Sequence, residues 1–270
     1  MTKFLAALSM AALAGTALPQ PAAAADLDRI LLRAPELPLT KPVEVGTGWY
    51  LRGDLGYSLD TSSDPVSFRA YNGAGSYSSG RFHDNAIDSD WSGSVGFGYH
   101  FNDWLRSDIT LEYTKGSFDD QLSLHCVATN PVGDCAAHQD FDAWGFMANA
   151  YLDLGTYAGF TPYIGGGAGI MSVNWKDMRL ACVNSPACGA AAVNHGRHDW
   201  RFAYQLSAGM AYALTKNLKF DLGYRYFNVD GGDMFDFNPG DQALGATGVQ
   251  GQDHGFSKQE IRAGLRYEIW

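Results

Sequence analysis

The chain has 270 residues and carries 19 Lys and Arg side chains against 29 Asp and Glu, so its formal net charge is −10. Because the basic surface that nucleic-acid binding requires is missing, this balance argues against nucleic acid as a partner. Only 18% of the residues are charged, while 32 glycines and 13% aromatic residues are typical of many strands with bulky rings on one face. A disordered chain is excluded.

Residues 1–25 are predicted to be a signal peptide. Lys3 supplies the positive start, residues 4–18 form an apolar run, and Ala22 to Ala25 offer small residues for cleavage. The run is shorter than the roughly 20 residues that a membrane-spanning helix needs, and no later stretch is as long. We therefore expect an exported protein that has no membrane-spanning helix.

Residues 26–48 are dotted with Pro35, Pro38 and Pro42 and show no sustained period, which predicts an irregular leader. From residue 49 onwards the dominant period is two, which indicates β-strands. We take 49–270 as one domain.

Eight segments of about ten residues alternate between apolar and polar side chains, a pattern that no amphipathic helix produces. They begin at Trp49, Trp91, Leu105, Trp144, Pro162, Trp200, Leu218 and Ile261. Polar connections of roughly 25 to 30 residues alternate with the short turns 102–104, 155–160 and 215–217. The prediction is an all-β fold, an eight-stranded antiparallel up-and-down barrel with both termini at the short-turn end.

The apolar face of these strands is predicted to look outward. An eight-stranded barrel has an interior just wide enough for side chains to fill, and the apolar face carries too many Trp, Tyr and Phe for that space. The outward rings also cluster near the strand ends, as they do at both interfaces of a membrane. With the export signal, this predicts a transmembrane β-barrel in a Gram-negative outer membrane, with extracellular long loops and periplasmic leader and termini.

Four segments carry a resemblance to a known family. They are Gly48-Trp49-Tyr50-Leu51-Arg52-Gly53, Thr161-Pro162-Tyr163-Ile164-Gly165, Leu222-Gly223-Tyr224-Arg225-Tyr226-Phe227 and Ile261-Arg262-Ala263-Gly264-Leu265-Arg266-Tyr267. Over about 46–270 the chain resembles the small porin-like surface-antigen family of α-proteobacteria, which is similar to OmpA-type transmembrane barrels. The resemblance implies an abundant envelope protein whose final strand is read by the barrel-assembly machinery.

The predicted assembly signal comprises Tyr267, Ile269 and Trp270. It departs from the family pattern, because Tyr267 stands three residues before the terminal aromatic residue rather than two. Ile269 therefore holds the position that is in phase with the outward face.

Charged residues recur on the predicted inward face. They are Arg52, Asp54, Arg106, Asp108, Glu112, Arg201, Asp221, Arg225, Glu260, Arg262 and Arg266. A polar conduit and a plug of salt bridges are both compatible with this set. Eight strands leave no standing channel, and near-equal numbers of arginines and carboxylates favour a paired network, so we expect the plug.

Two disulfides are predicted within the loops, Cys126 with Cys135 and Cys182 with Cys188, because each pair shares one loop of an exported protein. Four cysteines allow three pairings, and metal binding by these cysteines is the minor alternative.

Most of the histidines lie in the long loops, and His195 and His198 form the best local pair for haem or metal capture. Polar residues collect in loops in any case, so no metal and no cofactor is predicted. We find no nucleophile and histidine aligned toward the lipid face, and no enzyme activity is expected.

The sequence therefore predicts a non-catalytic, structural and surface-exposed outer-membrane barrel, porin-like at most for small solutes. The alternative is a surface binder or adhesin that takes haem, a host molecule or matrix through its extracellular loops. The expected partners are outer-membrane lipid, lipopolysaccharide and the barrel-assembly machinery, with an extracellular ligand left open.

Overall fold

The computed structural model describes residues 48–82, 86–89, 91–122, 134–183 and 192–269. The predicted signal peptide and, apart from Gly48, the predicted leader lie outside these residues. In the described part of the chain, no helix is long and apolar enough to cross a membrane.

The described residues form thirteen β-strands and one short helix. In chain order these are β1 (Trp49–Ser63), β2 (Ser67–Tyr71), β3 (Tyr77–Arg81), β4 (Ala86–Asp88), β5 (Trp91–His100), β6 (Leu105–Leu122), β7 (Asp134–Asp153), β8 (Phe160–Trp175), β9 (Met178–Val183), β10 (Ala192–Asn194), β11 (His198–Ala213), β12 (Leu218–Asp236), α1 (Pro239–Ala243) and β13 (Val249–Glu268).

Eight of the strands form a closed ring in the order β1, β5, β6, β7, β8, β11, β12 and β13, each antiparallel to its neighbours. The pairing of β13 with β1 joins the last strand to the first, so the ring has no free edge. The Ile269 amide donates to the Trp49 carbonyl oxygen over 2.9 Å, which sets both ends of the barrel domain side by side at the short-turn end. The predicted up-and-down barrel is confirmed.

The apolar face of the strands points outward, as predicted. Leu55 is 65% exposed, Trp91 62% and Ile109 61%, whereas Thr110, the next residue after Ile109, is 1% exposed. In water an apolar band of this size would be strongly unfavourable, and lipid removes that cost.

Two bands of outward aromatic residues border the apolar band. The band toward the long loops contains Tyr57, Trp91, Tyr113, Trp144 and Trp200, and the band toward the short turns contains Trp49, Tyr99, Phe101, Phe160, Tyr212 and Tyr267. Several rings contact across strands, with centroids 5.0 Å apart for Tyr57 and Trp91 and 5.2 Å apart for Trp144 and Trp200. Their separation marks the thickness of the lipid-facing zone.

The strands are longer than predicted, and much of what was expected to be polar loop continues the barrel. Strands β7 and β13 have 20 residues each and β12 has 19. In these extensions the polarity of the two faces reverses. On β6, Phe118 lies inward and fully buried, while Asp119 lies outward and exposed.

The reversal has a simple physical reason. Below the long-loop aromatic band the barrel is surrounded by lipid, so its outside is apolar; above it the barrel is surrounded by water, and apolar side chains turn inward as in a soluble protein. We call the water-facing part the extracellular extension.

A hairpin of β2 and β3 covers one side of the extracellular extension. Tyr71 and Phe237 are buried there together with Ala246. The Tyr71 hydroxyl donates to the Leu244 carbonyl oxygen over 3.0 Å. The Arg69 guanidinium lies 5.0 Å from the centre of the Tyr77 ring.

Glycines on β8 make room for large inward side chains of its neighbours. A Cβ atom at Gly167 would overlap the Asn149 amide oxygen, and one at Gly165 would overlap the Tyr151 ring. Between Tyr163 and Met171 the inward positions of β8 are glycines, and side chains of β7 lie against them.

Candidate functional site

The candidate site is the interior of the barrel, where the eleven charged residues predicted from the sequence all point inward. Near the short-turn end, Arg106 Nε lies 3.1 Å from Asp153 Oδ1, and its guanidinium lies 4.0 Å from the centre of the Tyr151 ring. Arg266 Nη2 lies 3.3 Å from Asp221 Oδ1. Both pairs lie at the short-turn end of the interior.

At mid-height, Arg52 bridges two carboxylates. Its Nη2 donates to Asp54 Oδ1 over 2.8 Å and its Nη1 to Asp108 Oδ2 over 2.9 Å. The Tyr50 hydroxyl and the Asn149 amide also donate to Asp108, over 3.0 and 2.7 Å. Asp108, which lies on β6, thus accepts bonds from two other strands, β1 and β7.

Above this layer, Arg225 is the centre of a second cluster. Its Nη1 donates to Glu112 Oε2 over 2.8 Å, and its Nε donates to Glu260 Oε2 over 2.7 Å. Lys258 Nζ lies 2.9 Å from Glu260 Oε1, and Arg262 Nη1 lies 3.5 Å from Glu112 Oε1. Both glutamates therefore contact two cations each.

The interior is balanced in charge. The buried or nearly buried basic residues are Arg52, Arg106, Arg201, Arg225, Lys258, Arg262 and Arg266, and the acidic ones are Asp54, Asp108, Glu112, Asp153, Asp221, Asp253 and Glu260. A balanced and paired set is what burial requires, because an unpaired charge would retain a large desolvation cost.

Among the described residues, a small cavity remains between these side chains. A cavity of about 20 Å³ lies among Arg52, Tyr151, Tyr163, Gln205 and Arg225. That volume accommodates roughly one water molecule.

An apolar layer lies above the charges, inside the extracellular extension. Phe141 contacts Trp175 and Phe256, with ring centroids 4.7 and 5.5 Å apart. Met147 and Phe227 are buried in the same cluster. One ion pair crosses this layer, with Arg201 Nη1 2.8 Å from Asp253 Oδ2 and both side chains 1% exposed.

Three members of the charge network were missing from the predicted set. Lys258 and Asp253 lie on β13 in a segment that the sequence analysis treated as loop, although the period of two continues there. Asp153 lies at the end of β7, and the sequence alone does not identify it as the partner of Arg106.

The predicted disulfide cysteines and the predicted assembly signal lie partly within the described residues. The backbones of Cys135 and Cys182 are register partners in the pairing of β7 with β9, whereas Cys126 and Cys188 lie outside the described residues. The within-loop disulfides therefore stay a prediction. Tyr267 is outward and 52% exposed, and Trp270 lies outside the described residues.

Of the loop histidines that the structure describes, His138 has the closest partners. Its Nδ1 lies 2.6 Å from Asp119 Oδ1 and its Nε2 lies 3.5 Å from Asp140 Oδ1. The hydrogen bond to Asp119 raises the pKa of His138 above its ordinary value. His195 Nδ1 lies 3.4 Å from Asp177. Within the described ranges, no three His, Cys, Asp or Glu side chains are grouped so that they could hold a metal ion.

Comparison with known proteins agrees with this architecture. Residues 4–268 match the family described as outer membrane protein beta-barrel domain. An uncharacterised protein of Brucella abortus (strain 2308) is 36% identical over 260 residues, which cover 86% of this chain and 88% of that protein. Outer membrane protein PagN of Salmonella typhimurium is 26% identical over 145 residues, which cover 52% of this chain and 57% of that protein. Among solved structures, Neisserial surface protein A aligns with a TM-score of 0.45 at 18% identity, covering 82% of this chain and 97% of that one.

A closed antiparallel ring with an outward apolar band between two aromatic bands defines a transmembrane β-barrel. The chain belongs to the outer membrane protein β-barrel family. It lies in the outer membrane of a Gram-negative cell, with the long connections outside and the termini in the periplasm.

Proposed function

We propose that this protein is a non-catalytic, structural and surface-exposed barrel whose lumen is closed, which argues against porin-like passage of small solutes. The observation that carries the proposal is the filled interior, with a charge network in the membrane zone and an apolar layer above it. The two layers oppose the passage of ions in different ways.

The charge network resists opening because its members share partners. Moving Arg225 aside would leave Glu112 and Glu260 each with one cation fewer. Removing one partner of a buried ion pair typically costs about 3–5 kcal/mol. A spontaneous rearrangement of that cost would be populated only rarely.

The apolar layer is a second barrier in series. Phe141, Trp175 and Phe256 meet inside the extracellular extension. Even if the charges below rearranged, an ion would have to leave water to pass these rings, and hydrophobic constrictions of this kind close pores by excluding water.

Single-channel recording in planar bilayers tests the closed lumen. We expect no stable current from the full-length mature protein, verified as a folded monomer. Arg225→Ala is also expected to be silent, because the apolar layer remains. Reproducible openings of general-porin size from the unmodified monomer would contradict the closed lumen, and openings from Arg225→Ala alone would contradict the second barrier.

The inward carboxylates are paired with arginine or lysine side chains, and this supports the absence of catalysis. The purified protein should not change outer-membrane lipids or a mixed peptide library beyond a heat-unfolded control, as read by mass spectrometry. Product formation that depends on the folded barrel would contradict this part of the proposal.

A surface binder is the second candidate, and the ordered hairpin of β2 and β3 favours it. Its contacts with residues 237–249, including the Arg69 Nε bond of 2.9 Å to the Val249 carbonyl oxygen, present a preformed surface. Shortening the hairpin tip at residues 72–76 would remove binding to haemin or host matrix while the barrel stays folded. Unchanged binding would count against this candidate.

A further inference from the structure

The cavity of about 20 Å³ in the barrel interior lies where the three groups of ion pairs meet. Arg52 and Asp54 border it from the mid-height group, and Arg225 borders it from the group above. Asp221, the partner of Arg266, borders it from the short-turn end. One small molecule in this cavity would therefore contact all three groups.

Two inward glycines let the Tyr163 hydroxyl reach this cavity. Tyr163 on β8 is the register partner of Gly209 on β11, and Gly209 is the partner of Gly223 on β12. A Cβ atom at Gly209 would lie 2.6 Å from the Tyr163 hydroxyl oxygen, and one at Gly223 would lie 2.7 Å from it. The Tyr163 ring therefore lies across both glycines, and its hydroxyl points toward Arg262, the partner of Gly223 on β13.

The lining of the cavity contains polar groups that other side chains do not satisfy. Tyr163 is 7% exposed, and its hydroxyl forms no hydrogen bond within the described ranges. The Ser207 hydroxyl and the Arg262 Nε atom are buried and also have no partner among the described residues. Asp221 accepts one bond, from Arg266 Nη2 to its Oδ1 over 3.3 Å, which leaves its Oδ2 available. Buried groups of this kind are normally hydrogen-bonded, so the set indicates a bound molecule.

A water molecule fits this set better than an ion does. A polar cavity above roughly 10–15 Å³ can hold a water, which makes two to four hydrogen bonds. Water accepts from the hydroxyls of Tyr163 and Ser207 and donates to the Asp221 carboxylate. A halide ion only accepts, and it would be repelled by the carboxylates of Asp54 and Asp221, whereas a cation would be repelled by the surrounding guanidinium groups.

We propose that this cavity is a hydration site, which holds one ordered water molecule hydrogen-bonded to Tyr163, Ser207 and Asp221. The water joins β8, β11 and β12 and completes the hydrogen bonding between the three groups of ion pairs. The site depends on the packing of the interior and not on conductance, so recordings that contradict the closed lumen would leave it standing.

A crystal structure of the full mature protein tests the site, with crystals grown in rubidium bromide and data that resolve ordered water. We expect one density peak in the cavity, about 2.5–3.2 Å from the hydroxyl oxygens of Tyr163 and Ser207. This peak should have no anomalous signal at the bromine or the rubidium edge. A signal at either edge would show an ion instead of water, and a cavity without density would show that nothing is held there. Either result would overturn the proposal.

Two variants test whether the named hydroxyls hold the water. Tyr163→Phe combined with Ser207→Ala removes both hydroxyls and keeps the aromatic ring, so the peak should disappear. Tyr212→Phe removes a hydroxyl from the outward aromatic band at the short-turn end and should leave the peak unchanged. An unchanged peak in the double variant would overturn the assigned contacts. If the double variant does not fold, the position of the peak in the unmodified protein decides, and a peak out of reach of both hydroxyls would refute the site.

Discussion

Two adjacent glycines on β8 allow the inward and outward faces of the barrel to be tested with the same substitution. A Cβ atom at Gly167 would point inward, overlap the Asn149 amide oxygen and lie 2.8 Å from the Ala148 carbonyl oxygen. A Cβ atom at Gly166 would point outward, and its nearest neighbours are Leu206 Cδ2 at 3.4 Å and the Gln205 carbonyl oxygen at 3.5 Å. We therefore expect Gly167→Ala to be destabilising and Gly166→Ala to be tolerated.

The expected loss of stability in Gly167→Ala follows from the contacts of the Asn149 side chain. Overpacking a filled interior costs typically about 1–3 kcal/mol. The displaced Asn149 side chain would also lose its bond of 2.7 Å to Asp108, and a hydrogen bond to a charged group contributes roughly 1.5–3 kcal/mol. Gly167→Ala should lower the free energy of unfolding by about 2.5–6 kcal/mol, whereas Gly166→Ala should change it by less than about 1 kcal/mol.

The assay is denaturant unfolding of the protein in lipid vesicles, followed by tryptophan fluorescence. Combining Gly167→Ala with Asn149→Ala should recover part of the loss, because the overlapping amide is removed. Equal effects of the two single substitutions would refute the assigned faces, and the opposite order would indicate that β8 is shifted by one residue relative to β7.

Three further predictions follow from other parts of the molecule. Ile109→Arg should cost roughly 2–4 kcal/mol, because Ile109 faces lipid near mid-membrane, and should abolish the fast-migrating folded form on unboiled gels, while Ile109→Leu and Thr110→Ser retain it. Non-reducing digestion and mass spectrometry should recover Cys126 joined to Cys135 and Cys182 joined to Cys188; a peptide that joins Cys135 to Cys182, whose backbones are register partners in β7 and β9, would contradict this pairing. The NMR titration of His138 should have a midpoint above about 6.5, and Asp119→Asn should lower it, since that carboxylate raises the pKa.

The raised pKa of His138 determines how its contribution to folding stability changes with pH. The protonated ring is favoured in the folded protein, so this contribution is present at low pH and is lost as the pH rises through the raised value. Both His138 and Asp119 are about half exposed, so the contribution is small. A midpoint unaffected by Asp119→Asn would contradict the assigned contact.

The sequence predicted the membrane zone well because lipid imposes a simple rule there. Outward residues such as Leu55 and Ile109 must be apolar, and an eight-stranded interior has room for few large side chains, so the period of two and residue size together set which face looks outward. The inward positions of Arg52, Glu112 and Arg225 follow from the same alternation. The ion-pair partners of these residues do not follow from the alternation, because contacts across the lumen depend on how far each strand is shifted along its neighbour.

The extracellular extension was not predicted because its alternation has the opposite sign. Phe118 and Phe141 are apolar and point inward. Strands predicted from an apolar outward face therefore end near Tyr113, and the residues beyond it are predicted to be loop. A change of sign within a continuing period of two is the signal that would have identified longer strands. Lys258 and Asp253 would then have been included in the network.

The central claim is that one continuous strand passes from lipid into water, with its outward face changing from apolar to polar. Spin labels at successive outward positions of β6, from Ile109 to Asp119, measure this directly in lipid vesicles, using cysteines introduced into a chain whose four native cysteines are replaced by serine. The account predicts that labels up to Tyr113 are accessible to oxygen, that labels from Ser117 onward are accessible to a water-soluble nickel complex, and that the crossover falls near Lys115. Uniform accessibility to the nickel complex along the whole strand would contradict it.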